Sequence, residues 1–424
     1  MKKEPLDHNI YFVTQPLHVV SSILGLSPFH IDPNYTLRNR GGCTFCHVIQ
    51  AAVMILLLLY GLYNSVLTLV EYSEHIFNVN LRIVWIISVL VSHLTSILTL
   101  LFSVTRNRNH MTNVLCLLSR VDSKLFHDKS KKSAYSKHRS QVIMQLWVTL
   151  ILFGIVFTSC AYSYSDGTWI WFMFMASQIL SDAINTGMML QYVNFVLMVK
   201  QRYQLVQHIL SEAAIADDGN SSVHLDTEHF RSSRNRSSNK TFPIKTLNLK
   251  IVTNSINLYT IRHLRLICSE LRDVLRANNK SCEVLILLAV ITTLTFVVPT
   301  TYSGVMTIKR AIVDNGRFQL YFAGVSNFLK CFDLLLIFMW SALCCQKTTE
   351  EVNDIFICIQ KLLLYPSARG WSTPELKGFS SQLKNSKFQF NVCGFFTLNL
   401  QFFCAGLSVI FTYILVLSQY SEDL

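Results

Sequence analysis

The sequence predicts an all-α, polytopic membrane protein with seven transmembrane helices, a cytosolic N-terminus, an extracellular C-terminus and cytosolic helical extensions that form an assembly domain. Three observations predict it. The apolar residues of the 424-residue chain arrive in long blocks instead of alternating with polar ones. Only 15% of residues are charged and the mean hydropathy is +0.36, a composition that belongs to integral membrane proteins. Lys and Arg gather on the connections of one side.

Seven blocks are long enough to cross a hydrocarbon core of about 30 Å at about 1.5 Å per helical residue. They cover 47–71, 82–104, 141–163, 168–199, 283–308, 318–344 and 394–418. Within lipid the backbone must satisfy its own polar groups, so each block is helical. Residues 1–46 form a cytosolic N-terminal segment. Its opening, MKKEPLDHNI, lacks the apolar stretch and small-residue site of a cleaved secretory signal, so the first span is expected to act as a signal anchor. Residues 15–27 are apolar but too short to span, and an interfacial or re-entrant helix is expected there.

Orientation follows from the basic residues. The N-terminal segment holds four, the 105–140 loop nine and the 345–391 loop six; on the other face only 309–317 carries any, three in number. The long 200–282 loop adds thirteen more to the first side but counts for less. This orientation is the reverse of a G-protein-coupled receptor, and neither an Asp-Arg-Tyr-like nor an Asn-Pro-x-x-Tyr motif is present. The net charge of +12 is then a positive-inside signal that also meets anionic lipid, with no nucleic-acid partner implied. The Asn-x-Ser/Thr sequons at Asn34, Asn220, Asn235, Asn239 and Asn279 all fall on the cytosolic side, where they stay unglycosylated.

Spans one to six, 47–344, are expected to hold a ligand pocket. The polar, Ser/Asn-rich stretch 212–245 reads as a disordered cytosolic loop. After it, Leu264, Cys268, Leu271 and Leu275 share one helix face, as do Val352, Ile355, Ile359 and Leu362 further on. Thr373-Pro374-Glu375 then looks like the start of another helix. Such stripes either pack on one another beneath the membrane, making 345–391 a set of assembly helices, or lie on the lipid surface. No internal repeat is visible, which weighs against transporters built from inverted halves.

On the fourth span, Trp171, Phe174, Gln178, Asp182 and Asn185 fall on one stripe, aromatic at the outer end and polar toward the middle. A carboxylate at that depth is costly unless it faces protein or water, so Asp182 is a functional candidate. The sixth span adds Tyr321, Asn327, Lys330 and Asp333; Lys330 is placed to pair with Asp333 or to reach Asp182. Trp85, His93, Tyr162, Trp169 and Tyr302 complete an aromatic lining suited to a small organic ligand. Each of these polar residues reads equally as an interhelical hydrogen-bonding group that serves packing.

The last span ends with Thr412-Tyr413, five apolar or small residues, then Gln419-Tyr420. Together with the lead-in Cys393-Gly394-Phe395-Phe396-Thr397-Leu398-Asn399, this resembles the C-terminal signature of insect gustatory receptors, with Tyr420 where Phe is usual. Seven spans and an inside N-terminus extend the resemblance over nearly the whole chain. The resemblance implies a homotetramer, or a heteromer with other gustatory receptors. It also implies a tastant-gated, non-selective cation channel in the plasma membrane of sensory-neuron dendrites. The 394–424 segment would then be the pore-lining helix and a short outer tail.

On a helix, Thr412, Val416 and Gln419 share one narrow face, so four copies would set a Val416 apolar ring beside a Gln419 amide ring. Alternatively, Gln419 is the interfacial cap of an ordinary helix. The acidic tail Ser421-Glu422-Asp423-Leu424 either concentrates cations at the mouth or is a solvated end.

Cys43-Thr44-Phe45-Cys46-His47 matches a haem-attachment pattern, but attachment would need the opposite membrane face, and no second metal-ligand pair follows. No HExxH, GxSxG or P-loop occurs, so neither an enzyme, a cofactor nor a metal is expected. The remaining functional alternatives are a metabotropic receptor of inverted topology and a non-conducting co-receptor subunit. The aromatic lining favours a bitter or broadly tuned receptor, with a sugar receptor as the alternative ligand class.

Overall fold

Two backbone bonds that close its C-terminal end fix the first helix. In α1 (Ile10–Ile23), Leu26 N–H reaches Ser21 O at 2.7 Å and Gly25 N–H reaches Ser22 O at 3.1 Å. Gly25, at φ 76°, supplies the left-handed residue this cap requires. At 14 residues α1 is too short to span, as its sequence indicated. This computed structural model describes residues 10–27, 30–31, 37–38, 41–71, 79–105, 107–126, 128–163, 169–216, 258–313, 318–364, 373–385 and 388–422.

Nine further helices follow among the described residues. They are α2 (Gly41–Glu71), α3 (Val79–Thr105), α4 (Asn107–Leu125), α5 (Asp128–Ser163), α6 (Trp169–Ala216), α7 (Leu258–Val313), α8 (Phe318–Leu364), α9 (Thr373–Asn385) and α10 (Leu400–Glu422). Two short antiparallel hairpins complete the structure: β1 (His30–Ile31) with β2 (Leu37–Arg38), and β3 (Asn391–Val392) with β4 (Phe396–Thr397). Six helices, α2, α3, α5, α7, α8 and α10, are long and apolar enough to cross a membrane. The helix of the fourth expected span, α6, is not among the six. Its polar residues, Gln178, Asp182, Asn185 and Asn194 among them, lower its hydropathy. Packing explains why they are tolerated: from Ile184 to Val199 only Gln191 and Leu197 are not fully buried, so α6 runs inside the bundle.

Small residues set the closest helix approaches. A Cβ on Gly324 of α8 would lie 2.5 Å from Ile308 Cγ1 and 3.1 Å from Gly304 O of α7. Serine and threonine join α3 to α6 and α7: Ser96 Oγ lies 2.7 Å from Ser181 Oγ, and Thr95 Oγ1 lies 2.8 Å from Thr292 Oγ1. Pro299 inside α7 has no N–H to give Thr295 O, and the Ser88 hydroxyl reaches that carbonyl at 2.7 Å instead.

Several spans continue as helix beyond the expected boundaries. α5 begins at Asp128, α7 at Leu258, and α8 runs on to Leu364. These extensions, with α4 and α9, meet at one polar end of the bundle. There the stripes Leu264, Cys268, Leu271, Leu275 and Ile355, Ile359, Leu362 are buried in the main core. The stripes therefore pack on other helices within the chain. The first residues of the expected disordered loop 212–245 belong instead to α6, which runs to Ala216; the rest of that loop lies outside the described residues.

Candidate functional site

The last helix starts later than the hydropathy indicated. Residues 394–397, expected as the start of the seventh span, belong instead to the β3–β4 hairpin of 391–397, and helix begins only at Leu400. Cys393 and Gly394 take φ values of 49° and 77°, a left-handed turn that no helix can contain. Asn399 then caps α10, its Oδ1 accepting from Phe402 N–H at 2.8 Å, and Leu400 N–H donates to Gln346 Oε1 of α8 at 3.1 Å. Asn279 of α7 donates to Asn391 O at 2.7 Å and accepts from the Tyr192 hydroxyl at 3.2 Å. This sequon is thus 8% exposed and bonded on both sides of its amide, a position closed to a glycan. The base of α10 is consequently tied to α7 and α8.

Beyond that base α10 stands largely apart. Phe403, Leu407, Ile410 and Ile414 recur at helical spacing and pack against Phe338, Leu294, Val297 and Leu335 of α7 and α8. At 100° per residue, Ser408, Thr412, Val416 and Gln419 lie on the opposite side. All four are exposed within the single chain, as is Tyr413. Thr412 turns its hydroxyl back to Ser408 O at 2.9 Å. The Tyr420 side chain and residues 423–424 of the tail lie outside the description.

The candidate pocket residues separate into two groups. Between α6 and α8, Lys330 and Asp333 both lie within electrostatic reach of Asp182. The expected ion pairs do not form: among the described residues no carboxylate lies within 4.0 Å of Lys330, whose Nζ stands 3.8 Å from Met175 Sδ. Lys330 and Asp333 are each 8% exposed. One turn to either side of Asp182, Gln178 and Asn185 are buried, and all four of their amide atoms lack a protein partner. Phe174 of the same stripe is buried against Val89 of α3. The Trp171 side chain is outside the description.

The second group belongs to the α7–α8 seam. A Cβ on Gly304 would stand 3.4 Å from Asn327 Cβ, so Asn327 packs toward α7 while Lys330 turns to α6. Tyr302 and Tyr321 are half-buried. Tyr162 meets Phe322 edge to face at 5.1 Å, and Trp85 meets Phe296 at 5.8 Å. His93 is fully buried, with Nδ1 3.0 Å from Val89 O.

Sequence reasoning missed two features. Ser92 and Ser96 of α3 form a hydroxyl cluster with Ser181 of α6 beside Asp182, and the four-residue spacing of the first two was the available signal. At the polar end, Arg202 of α6 grips Asp122 of α4 with two bonds, Nε–Oδ1 at 2.9 Å and Nη2–Oδ2 at 2.8 Å. The Tyr135 hydroxyl donates to the same carboxylate. An acid on the apolar Leu115, Leu118, Leu125 face was the signal there. Among the described residues no group of three His, Cys, Asp or Glu side chains converges as a metal site.

A helical bundle with six helices long and apolar enough to cross a membrane, a buried polar cluster and a C-terminal helix bare on one face is the architecture of a polytopic membrane protein. Over residues 14–423 the chain matches the family described as 7tm chemosensory receptor, and it belongs to that family. The fold is similar to that of the insect olfactory receptor OR5 from Machilis hrabei, with a TM-score of 0.63 at 11% identity over 96% of this chain and 97% of that one. The structure of OR5 in complex with eugenol matches with the same values. No curated protein matches the sequence.

Proposed function

We propose that this receptor is a gustatory, ligand-gated cation channel subunit that assembles as a tetramer in the plasma membrane of sensory neurons, N-terminus inside. The observation that carries the reading is the uncovered face of α10, where Ser408, Thr412 and Gln419 share one line with Val416. Three polar side chains on one stripe suit a water-filled path better than lipid, and neighbouring copies would supply its other walls. Val416 then forms the apolar constriction and Gln419 the amide ring beside it, with Tyr413 and Tyr420 as the remaining pore candidates. Permeating cations, membrane lipid and a small tastant are the partners.

The tastant site is the cluster of Gln178, Asp182, Asn185, Lys330 and Asp333 with Phe174 beside it, and Trp171, Tyr302, Tyr321 and Asn327 are its further candidates. A buried polar atom without a partner costs about 1–3 kcal/mol, so the four amide atoms of Gln178 and Asn185 favour a ligand that hydrogen-bonds. The surrounding aromatic rings favour a bitter or broadly tuned receptor over a sugar receptor. The test is whole-cell recording under a tastant panel from cells expressing this chain alone, beside Gln419→Ala. A tastant-evoked cation current with altered selectivity or leak in the variant is the expected result. Current indifferent to Gln419 would remove the pore assignment. Surface expression without any current would shift the reading to a metabotropic receptor or a co-receptor subunit.

A further inference from the structure

A cavity lies away from the tastant cluster, where α1 covers α5 and α6. It measures about 40 Å³, room for more than one water-sized group, and is partly open. Leu17, Leu26, Leu115, Val142, Phe195 and Met198 make most of its wall apolar. Two polar side chains that line it, His138 and Asn194, are each 2% exposed.

Their hydrogen bonding is half complete. The Gln201 amide nitrogen lies 3.2 Å from His138 Nδ1; since an NH2 group donates, Nδ1 accepts and the ring proton sits on Nε2. That Nε2–H has no acceptor. Asn194 donates Nδ2–H to Leu190 O at 2.9 Å, and its Oδ1 has no donor. Among the residues lining the cavity, one buried donor and one buried acceptor are thus left unanswered, within largely apolar walls. A hydroxyl group answers both, since it accepts one hydrogen bond while donating another.

The roof over them is firmly held. Gln50 Nε2 donates to Ser22 O at 2.7 Å, Ser103 to Gly25 O at 3.1 Å, and the Arg139 guanidinium sits 3.8 Å from the centre of the Phe12 ring. The cavity is therefore a built feature of the α1–α5–α6 junction.

We propose that this cavity binds the hydroxyl end of an apolar alcohol, His138 Nε2–H donating to its oxygen and Asn194 Oδ1 accepting its proton. The hydroxyl comes either from a free small alcohol or from a membrane lipid such as a sterol.

The test is photolabelling of the full chain in phosphatidylcholine nanodiscs with 3-azi-1-octanol, the label being located by peptide mass spectrometry. The label is expected on peptides covering 13–27, 138–142 or 191–198. It should fall about fivefold in Asn194→Leu, the loss of one net hydrogen bond. It should fall at least as far in Val142→Phe, which fills the cavity and leaves both polar groups in place. Equal thermal melting of the variants and wild type separates loss of binding from misfolding. Doping the discs with cholesterol distinguishes the source: displacement of the label assigns the site to sterol, and persistence with displacement by 1-hexanol assigns it to free alcohol. Label elsewhere, or undiminished in both variants, overturns the proposal and leaves the cavity to water. No channel current enters this readout, so it stands or falls apart from the proposed function.

Discussion

Asp122 carries a charge sealed within the protein, 0% exposed, and its stability depends on Arg202, 2% exposed, on another helix. Such a pair contributes little net stability over apolar residues, but removal of one partner leaves the other charge buried and alone. Asp122→Ala should therefore destabilise the fold by about 3–5 kcal/mol, seen as lost surface expression and a lower melting temperature in detergent. The companion change Asp122→Leu with Arg202→Met should recover most of that loss. Asp182 belongs to the opposite case. With no partner within ion-pairing distance, Asp182→Asn should leave expression near wild type and shift the half-maximal tastant concentration about tenfold or more. A melting temperature that falls with unchanged potency would instead make Asp182 a packing residue.

At the scale of elements, the hairpin before α10 is the joint between the last helix and the rest of the bundle. Asn399→Ala removes the N-cap of α10 and should cost about 1 kcal/mol. Gly394→Val places a β-branched side chain at φ 77°, where strain costs about 1–3 kcal/mol. Because Asn391 is bonded to α7 and Leu400 to α8, both changes are expected to alter opening more than ligand affinity. Dose–response curves that drop in maximum with little change in midpoint would bear this out. The hairpin was hidden in the sequence because Phe395, Phe396 and Leu398 read as the opening turns of an apolar span. Only the Cys393-Gly394 pair marked a turn.

For the molecule as a whole, the ends of α5–α8 that carry most Lys and Arg lie together, with α4 and α9 packed among them. We propose from that charge bias that this side faces the cytosol. An epitope placed after Leu424 should accordingly be labelled on intact cells, and one placed before Met1 only after permeabilisation. The opposite pattern would overturn the orientation, and with it the placement of the tastant cluster toward the outside.

The sequence by itself determined the helical class, a helix in each of the seven apolar blocks and the stripes that seal the polar end. These follow from composition and from a 3.6-residue period, both of which are local properties. Tertiary structure alone decided that α6 runs inside the bundle, and that Lys330 meets Met175 instead of a carboxylate. It also decided that Asp122 finds Arg202 eighty residues away, and that His138 and Asn194 share a cavity under α1. The physical reason is common to all four. What surrounds a polar group in a membrane bundle is set by which helices pack against it, and those neighbours lie far beyond the reach of any periodicity in the chain.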